Sequence, residues 1–208
     1  PFGGIAINAT NSPYGLSNLR ISNCFITNFS SGINVSNVTN VRIENTVISN
    51  VTNGIFFVNT SASTISNVTI NSSNGNTISL LGSDSNTLSG SNLSVNNGLQ
   101  NYFLVLNNSK SNTISNVVGL NDFGNGILVT KNSSRNSFSN NLFNGVVASF
   151  VELSEDVSFT SMTVVGTTGF EINSSNNVTL TNVTQQNTVW SIKTRLGSNT
   201  TLIDNERM

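Results

Sequence analysis

Residues 41–57 read Val41-Arg42-Ile43-Glu44-Asn45-Thr46-Val47-Ile48-Ser49-Asn50-Val51-Thr52-Asn53-Gly54-Ile55-Phe56-Phe57. Ile43, Ile48, Ile55 and Phe57 are separated by Asn, Thr, Ser and Gly, which favour turns. Ile55 and Phe57 form an i, i+2 pair, the spacing that places two side chains on one face of a strand. The pattern then repeats in both directions. Counterparts of Ile43 stand at Ile21, Ile65, Leu88, Ile114, Phe138, Phe159, Leu180 and Leu202, at intervals of 21 to 26 residues. Counterparts of Ile48 are Ile26, Ile70, Leu93, Phe143 and Val164. The Ile55 and Phe57 pair returns as Ile33/Val35, Ile78/Leu80, Phe103/Val105, Ile127/Val129, Val151/Leu153, Phe170/Ile172 and Trp190/Ile192. No stretch carries apolar spacing of helical period over helical length.

A period of this size, kept across almost the whole chain, predicts a solenoid. Each coil of roughly 22 residues reads as three short strands divided by turns. About nine coils stacked at about 4.8 Å make a rod roughly 40 Å long. The chain reads as one all-β domain over residues 1–208, with an incomplete coil at each end. Phe2–Ile7 has the wording of a third-type strand and Thr200–Ile203 that of a first-type strand. Around residue 151, Val151 and Leu153 are placed inside, because a frame that buries Glu152 would bury an unpaired charge.

Two residues after most first-type anchors stands an Asn: Asn23, Asn45, Asn67, Asn116, Asn140 and Asn182. Stacked amides can hydrogen-bond along a rod axis. Asn also tolerates the left-handed backbone that a sharp corner needs. These six are read as a structural ladder.

Asn, Ser and Thr supply 95 of the 208 residues, only 8% are charged, the net charge is −1 and there is no His. Eight scattered Lys and Arg make no basic stripe, so nucleic acid is excluded as a partner. No apolar run is long enough for a transmembrane helix. The first residue, Pro1, suggests a mature or excised segment. Cys24 is the single cysteine, with repeat equivalents Thr46, Val68 and Val117, and reads as a half-buried filler. Fifteen Asn-x-Ser/Thr triplets occur, against on the order of ten expected from composition alone. Asn8, Asn71, Asn107, Asn132 and Asn173 are the N-glycosylation candidates; Asn67 and Asn182 are expected to be shielded in the ladder.

Thr-Ile-Ser-Asn at 64–67, Ser-Asn-Thr-Ile-Ser-Asn at 111–116, Gly-Asn-Gly-Ile-Leu-Val at 124–129 and Arg-Asn-Ser-Phe-Ser-Asn at 135–140 resemble NosD-like right-handed parallel β-helix repeats. The resemblance covers nearly the whole chain. It implies a right-handed parallel β-helix of the kind found in exported and archaeal surface proteins. It carries a copper association that the residues do not match: there is no His, one Cys, and Met162 and Met208 lie far apart. No cofactor or metal is expected.

Related β-helices include polysaccharide lyases and hydrolases that use clustered carboxylates. Here Glu152, Glu155, Asp156 and Glu171, with Lys131 and Arg135 one coil earlier, are the candidates for such a site. Hydrolysis needs two carboxylates across the bond. The competing reading is a solvated turn carrying both signs of charge. Arg20, Arg42 and Glu44 read as an exposed ladder. Without His, Ser–His and Cys–His nucleophile systems are excluded.

The resulting expectation is a non-enzymatic, extracellular structural protein. It would be glycosylated and would associate head to tail with itself through open solenoid ends into a filament, sheath or surface layer. The alternative is a carbohydrate-binding or carbohydrate-cleaving β-helix, with Tyr14 and Tyr102 as its only sugar platforms and Trp190 in the core. An ice-binding array ranks last, because no Thr-x-Thr ladder repeats.

Overall fold

The computed structural model describes residues 3–10, 16–72, 74–95, 101–120, 125–186, 189–196 and 198–208. Among them every regular element is a strand, and the strands form three parallel sheets of nine strands each. Consecutive strands fall in different sheets, and each strand pairs with its equivalents one coil before and after. The predicted three-strand coil is therefore the unit of the fold. No helix among the described residues is long and apolar enough to cross a membrane.

The first sheet stacks the first-type anchors in register: Ile21 on Ile43, Ile43 on Ile65, Leu88 on Ile114, Phe138 on Phe159. The second sheet stacks Ile26 on Ile48 and Ile48 on Ile70. The third sheet stacks Ile33 on Ile55, Ile55 on Ile78, and Phe170 on Ile192. Eight of the nine first-type anchors are buried, and Leu202 on the last rung is 54% exposed. Removing this apolar surface from water is the main stabilising term. Phe138 and Phe159 stack at 4.8 Å, and Phe170 meets Phe159 edge-on at 5.0 Å.

Three third-sheet frames differ from those predicted. In Tyr102–Asn107 the rung residues are Leu104 and Leu106, which pair with Ile78 and Leu80. Phe103 is also buried, one place earlier. The run Phe103–Leu106 is apolar throughout, so a period of two has no contrast there. In Val147–Glu152 the rung residues are Ser149 and Val151, while Leu153 lies in the following turn, 51% exposed with φ 48°. Glu152 nonetheless points outward, since a two-residue slip preserves the face. In Trp190–Arg195 the rung residues are Ile192 and Thr194, so Trp190 is not in the core but 61% exposed.

The six predicted ladder residues, Asn23, Asn45, Asn67, Asn116, Asn140 and Asn182, all have φ between 49° and 55°. Each forms the corner between the first and second sheets and donates its backbone N–H to the next coil, as Asn45 does to Ser66 O at 3.2 Å. Within this set an amide–amide bond joins Asn67 Nδ2 to Asn45 Oδ1 at 3.4 Å. The side chains of all six are exposed, so the expected shielding of Asn67 and Asn182 does not occur. Gly90 and Ser161 occupy the same corner in other coils.

A second polar ladder, absent from the sequence-based reading, is buried. Asn86 Oδ1 accepts from Ser63 N, Asn112 Oδ1 from Asn86 N, and Asn136 Oδ1 from Asn112 N, at 2.8 to 3.0 Å. Beside it, Ser83, Ser109 and Ser133 accept from Thr60 N, Ser83 N and Ser109 N. These side chains satisfy backbone donors at a corner that strand pairing leaves open.

Candidate functional site

Each third-sheet strand turns its two rung residues inward, joined by Phe103 in one strand and Ala148 in another, and sends up to three side chains outward, so the outer face carries three axial rows. One row holds Tyr102, Asn125, Val147, Thr168 and Trp190. The middle row holds Val105, Leu128, Phe150, Glu171 and Lys193. The third holds Asn107, Thr130, Asn173 and Arg195, with Glu152 paired to Asn173. The last three strands thus bring two carboxylates, two cations and an exposed indole to one face.

Glu171 is held by two cations: its Oε1 lies 3.2 Å from Arg195 Nε and 3.6 Å from Lys193 Nζ. Glu152 accepts a hydrogen bond from Thr130 Oγ1 at 3.1 Å and another from Asn173 Nδ2 at 3.5 Å. The Tyr102 hydroxyl is pushed above its ordinary value of 10.0. Burial is the main cause; the side chain of Asn125 opposes it by hydrogen bonding, and the charges of Glu152 and Glu171 reinforce it. Tyr102 is therefore a protonated donor at neutral pH.

The other predicted site residues lie elsewhere. Glu155 and Asp156 sit in the exposed turn after the third sheet, where Asp156 Oδ1 accepts from Asn177 Nδ2 at 2.6 Å. Lys131 and Arg135 stand in the equivalent turn one coil earlier, both with positive φ. So Glu152 and Glu171 share the face, while Glu155 and Asp156 do not join them. Among the described residues, no group of three or more His, Cys, Asp or Glu is placed to hold a metal ion. Tyr14 lies outside the described residues. Arg20 and Arg42 pair in register, and Arg20 Nε donates to Glu44 Oε1 at 2.7 Å. Asn8, Asn71, Asn107 and Asn173 lie in strands and Asn132 in a turn, with Asn8 and Asn132 exposed.

Sequence reasoning missed Trp190, Lys193 and Arg195 as outward residues. The signal was present: Trp190, Lys193 and Arg195 are spaced i, i+3, i+5, which frames Ile192 as the rung. A concavity of about 360 Å³ lies on the outer face of the second sheet, lined by Thr69, Ile70, Asn92, Leu93, Ser94, Val118 and Leu120. Its lining holds no ionisable side chain, so the chemistry belongs to the third sheet.

Residues 3–164 match the protein family described as the right-handed beta helix region. No curated protein matches the sequence. Among solved structures, an alginate lyase from Paenibacillus sp. str. FPU-7 is similar over 98% of this chain and 98% of that one, with a TM-score of 0.67 and 13% identity. The likeness is one of fold. It overturns the expectation of a non-enzymatic chain, which rested on the rarity of clustered carboxylates, to this extent: a protein with the same fold from end to end is an alginate lyase.

Proposed function

The chain belongs to the right-handed beta helix family, and we propose that it is a carbohydrate-active β-helix whose substrate lies along the outer face of the third sheet. The observation that carries this reading is the gathering of Tyr102, Glu152, Glu171, Trp190, Lys193 and Arg195 on that face. The fold likeness to an alginate lyase supports it.

Each residue type suits a saccharide. The exposed Trp190 ring offers a flat apolar surface for a sugar face. Arg195 and Lys193 match carboxylate groups, the first as a fork and the second as a point charge. Tyr102 can donate a proton to a leaving oxygen. Glu152 and Glu171, on adjacent strands, are the two carboxylates that hydrolysis would use. The proposal includes an exported, cell-surface chain, supported by fifteen sequons. The filament reading has no comparable support.

The test is incubation of the purified chain with alginate, pectate and neutral polysaccharides. Binding, new reducing ends and unsaturated, ultraviolet-absorbing ends would be followed. Binding or cleavage that is lost in Trp190→Ala and Arg195→Ala is expected. A chain that neither binds nor cleaves any of them would overturn the reading.

A further inference from the structure

The outer face of the third sheet divides by charge. Its first six strands, from Ile5–Thr10 to Asn125–Thr130, contain no Asp, Glu, Lys or Arg, and the last three contain Glu152, Glu171, Lys193 and Arg195. On the neutral part, a groove of about 270 Å³ is lined by Ser31, Asn34, Asn53, Phe56, Asn76 and Ser79. Three coils build it in register: Ser31 pairs with Asn53, and Asn34, Phe56 and Ser79 follow one another along the middle row.

Two features of this groove point to a ligand. The Phe56 ring is half-buried and flanked axially by Asn34 and Ser79, giving an apolar floor with polar ends. Asn34 Oδ1 is buried and accepts no hydrogen bond among the described residues. A buried acceptor without a donor is costly, and rotation of the Asn34 amide into the groove it lines would let it accept from an incoming hydroxyl. Asn76 beside it is already engaged: its Oδ1 accepts from Tyr102 N at 2.8 Å.

We propose that this groove is a subsite for uncharged sugar residues, with the sugar ring on Phe56 and a sugar hydroxyl donating to Asn34 Oδ1. The proposal rests on the carbohydrate reading of the same face and extends it. From Phe56 to Glu171 is five strand spacings, roughly 24 Å. A polysaccharide lying along the rod would place neutral residues here while its charged residues meet Lys193 and Arg195. The favoured substrate class is a chain that mixes neutral and acidic sugars.

The experiment is calorimetric titration of the full chain with neutral hexasaccharides of gluco-, manno-, galacto- and xylo-configuration, and with a uronic-acid hexasaccharide. Asn34→Leu keeps the side chain's shape and removes the acceptor, so its thermal stability should hold. At least one neutral hexasaccharide is expected to bind, with affinity falling about fivefold or more in Asn34→Leu and in Phe56→Leu. Asn144→Leu, on the outer face of the second sheet, should leave it unchanged. If no neutral hexasaccharide binds, or if Asn34→Leu binds it as well as the parent chain, the subsite is overturned. Should the uronic-acid hexasaccharide still bind and depend on Arg195, the proposed function survives that failure. If neither class binds, both fall.

Discussion

A Cβ built on Gly119 would meet the ring of Phe103 at 2.6 Å. Gly119 stands in the second sheet between Leu93 and Phe143, where the missing side chain leaves room. Phe103 fills that room from the third sheet and stacks with Phe143 at 6.1 Å. In other coils the position of Phe103 belongs to Gly32, Gly54 and Gly126. A large residue and a small one have exchanged sheets, and the core volume is conserved.

Gly119→Val should therefore destabilise the chain by about 1–3 kcal/mol through overpacking. Phe103→Ala costs more by itself, about 3–5 kcal/mol, but the loss of the double variant should fall short of the sum of the two single losses, because the Val side chain occupies part of the space the ring vacates. Urea unfolding of the two single variants and the double variant measures the coupling. Strictly additive effects would show that the two positions do not share one space.

The buried and exposed Asn ladders should respond differently. Asn136 Oδ1 accepts from Asn112 N, and its Nδ2 donates to Ser109 O and Ser133 O. Asn136→Ala leaves buried groups unpaired and should cost about 2–4 kcal/mol. Asn116→Gly should be nearly neutral, because Gly90 already turns the same corner one coil earlier. Asn116→Val should cost about 1–3 kcal/mol at its φ of 54°. Melting temperatures in that order support the assignment; equal losses for Asn136→Ala and Asn116→Gly would refute it.

Tyr102 offers a test by titration. Phenolate absorbance in a Tyr14→Phe background should show ionisation above the ordinary 10.0. Asn125→Ala should raise the midpoint further, since the Asn125 hydrogen bond lowers it. Glu171→Gln should bring it down. Between pH 10.0 and the raised midpoint the unfolded chain binds fewer protons than the folded one. Stability contributed by the neutral phenol is thus complete below that window and lost as pH rises through it.

The Glu171 ion pairs should matter more to recognition than to folding. Lys193 and Arg195 are each more than a third exposed. Glu171→Gln should change stability by less than about 1 kcal/mol. It frees two cations and should strengthen binding of acidic polysaccharides in low salt, with the gain vanishing at high salt. A weakening at low salt would mean that Glu171 contributes more to binding by its own contact with the ligand than it withholds by engaging Lys193 and Arg195.

Ile127 is fully buried between Leu104 and Ser149. Ile127→Asp puts a charge between stacked coils and should abolish the cooperative unfolding transition. A variant with unchanged β-type circular dichroism and melting temperature would contradict the rung assignment.

The coil, its three strands, the nine first-type rungs and the six apolar second-type rungs are legible in the sequence, because burial imposes a period that composition alone does not; the second-type positions held by Gly119, Gln185 and Arg207 carry no apolar signal. Corner residues such as Asn45 and Asn116 are legible for a related reason: the left-handed backbone admits few residue types. The buried Asn86, Asn112 and Asn136 are not legible, although they stand two places before anchors, in the same short motifs. An Asn that faces water and one that caps backbone donors look alike as letters.

What the sequence determined by itself is the fold: a repeat of about 22 residues can bury its apolar faces only by stacking. What the tertiary structure decided is the frame of individual rungs and hence the site. Whether Trp190 lies inside or outside depends on which of its neighbours stacks on Phe170, and that depends on volume and register in the coils beneath. Likewise Glu152, Glu171, Lys193 and Arg195 come from three separate coils, and only strand pairing brings them to one face. Local pattern sets which residues seek burial; three-dimensional packing sets which of the remainder meet.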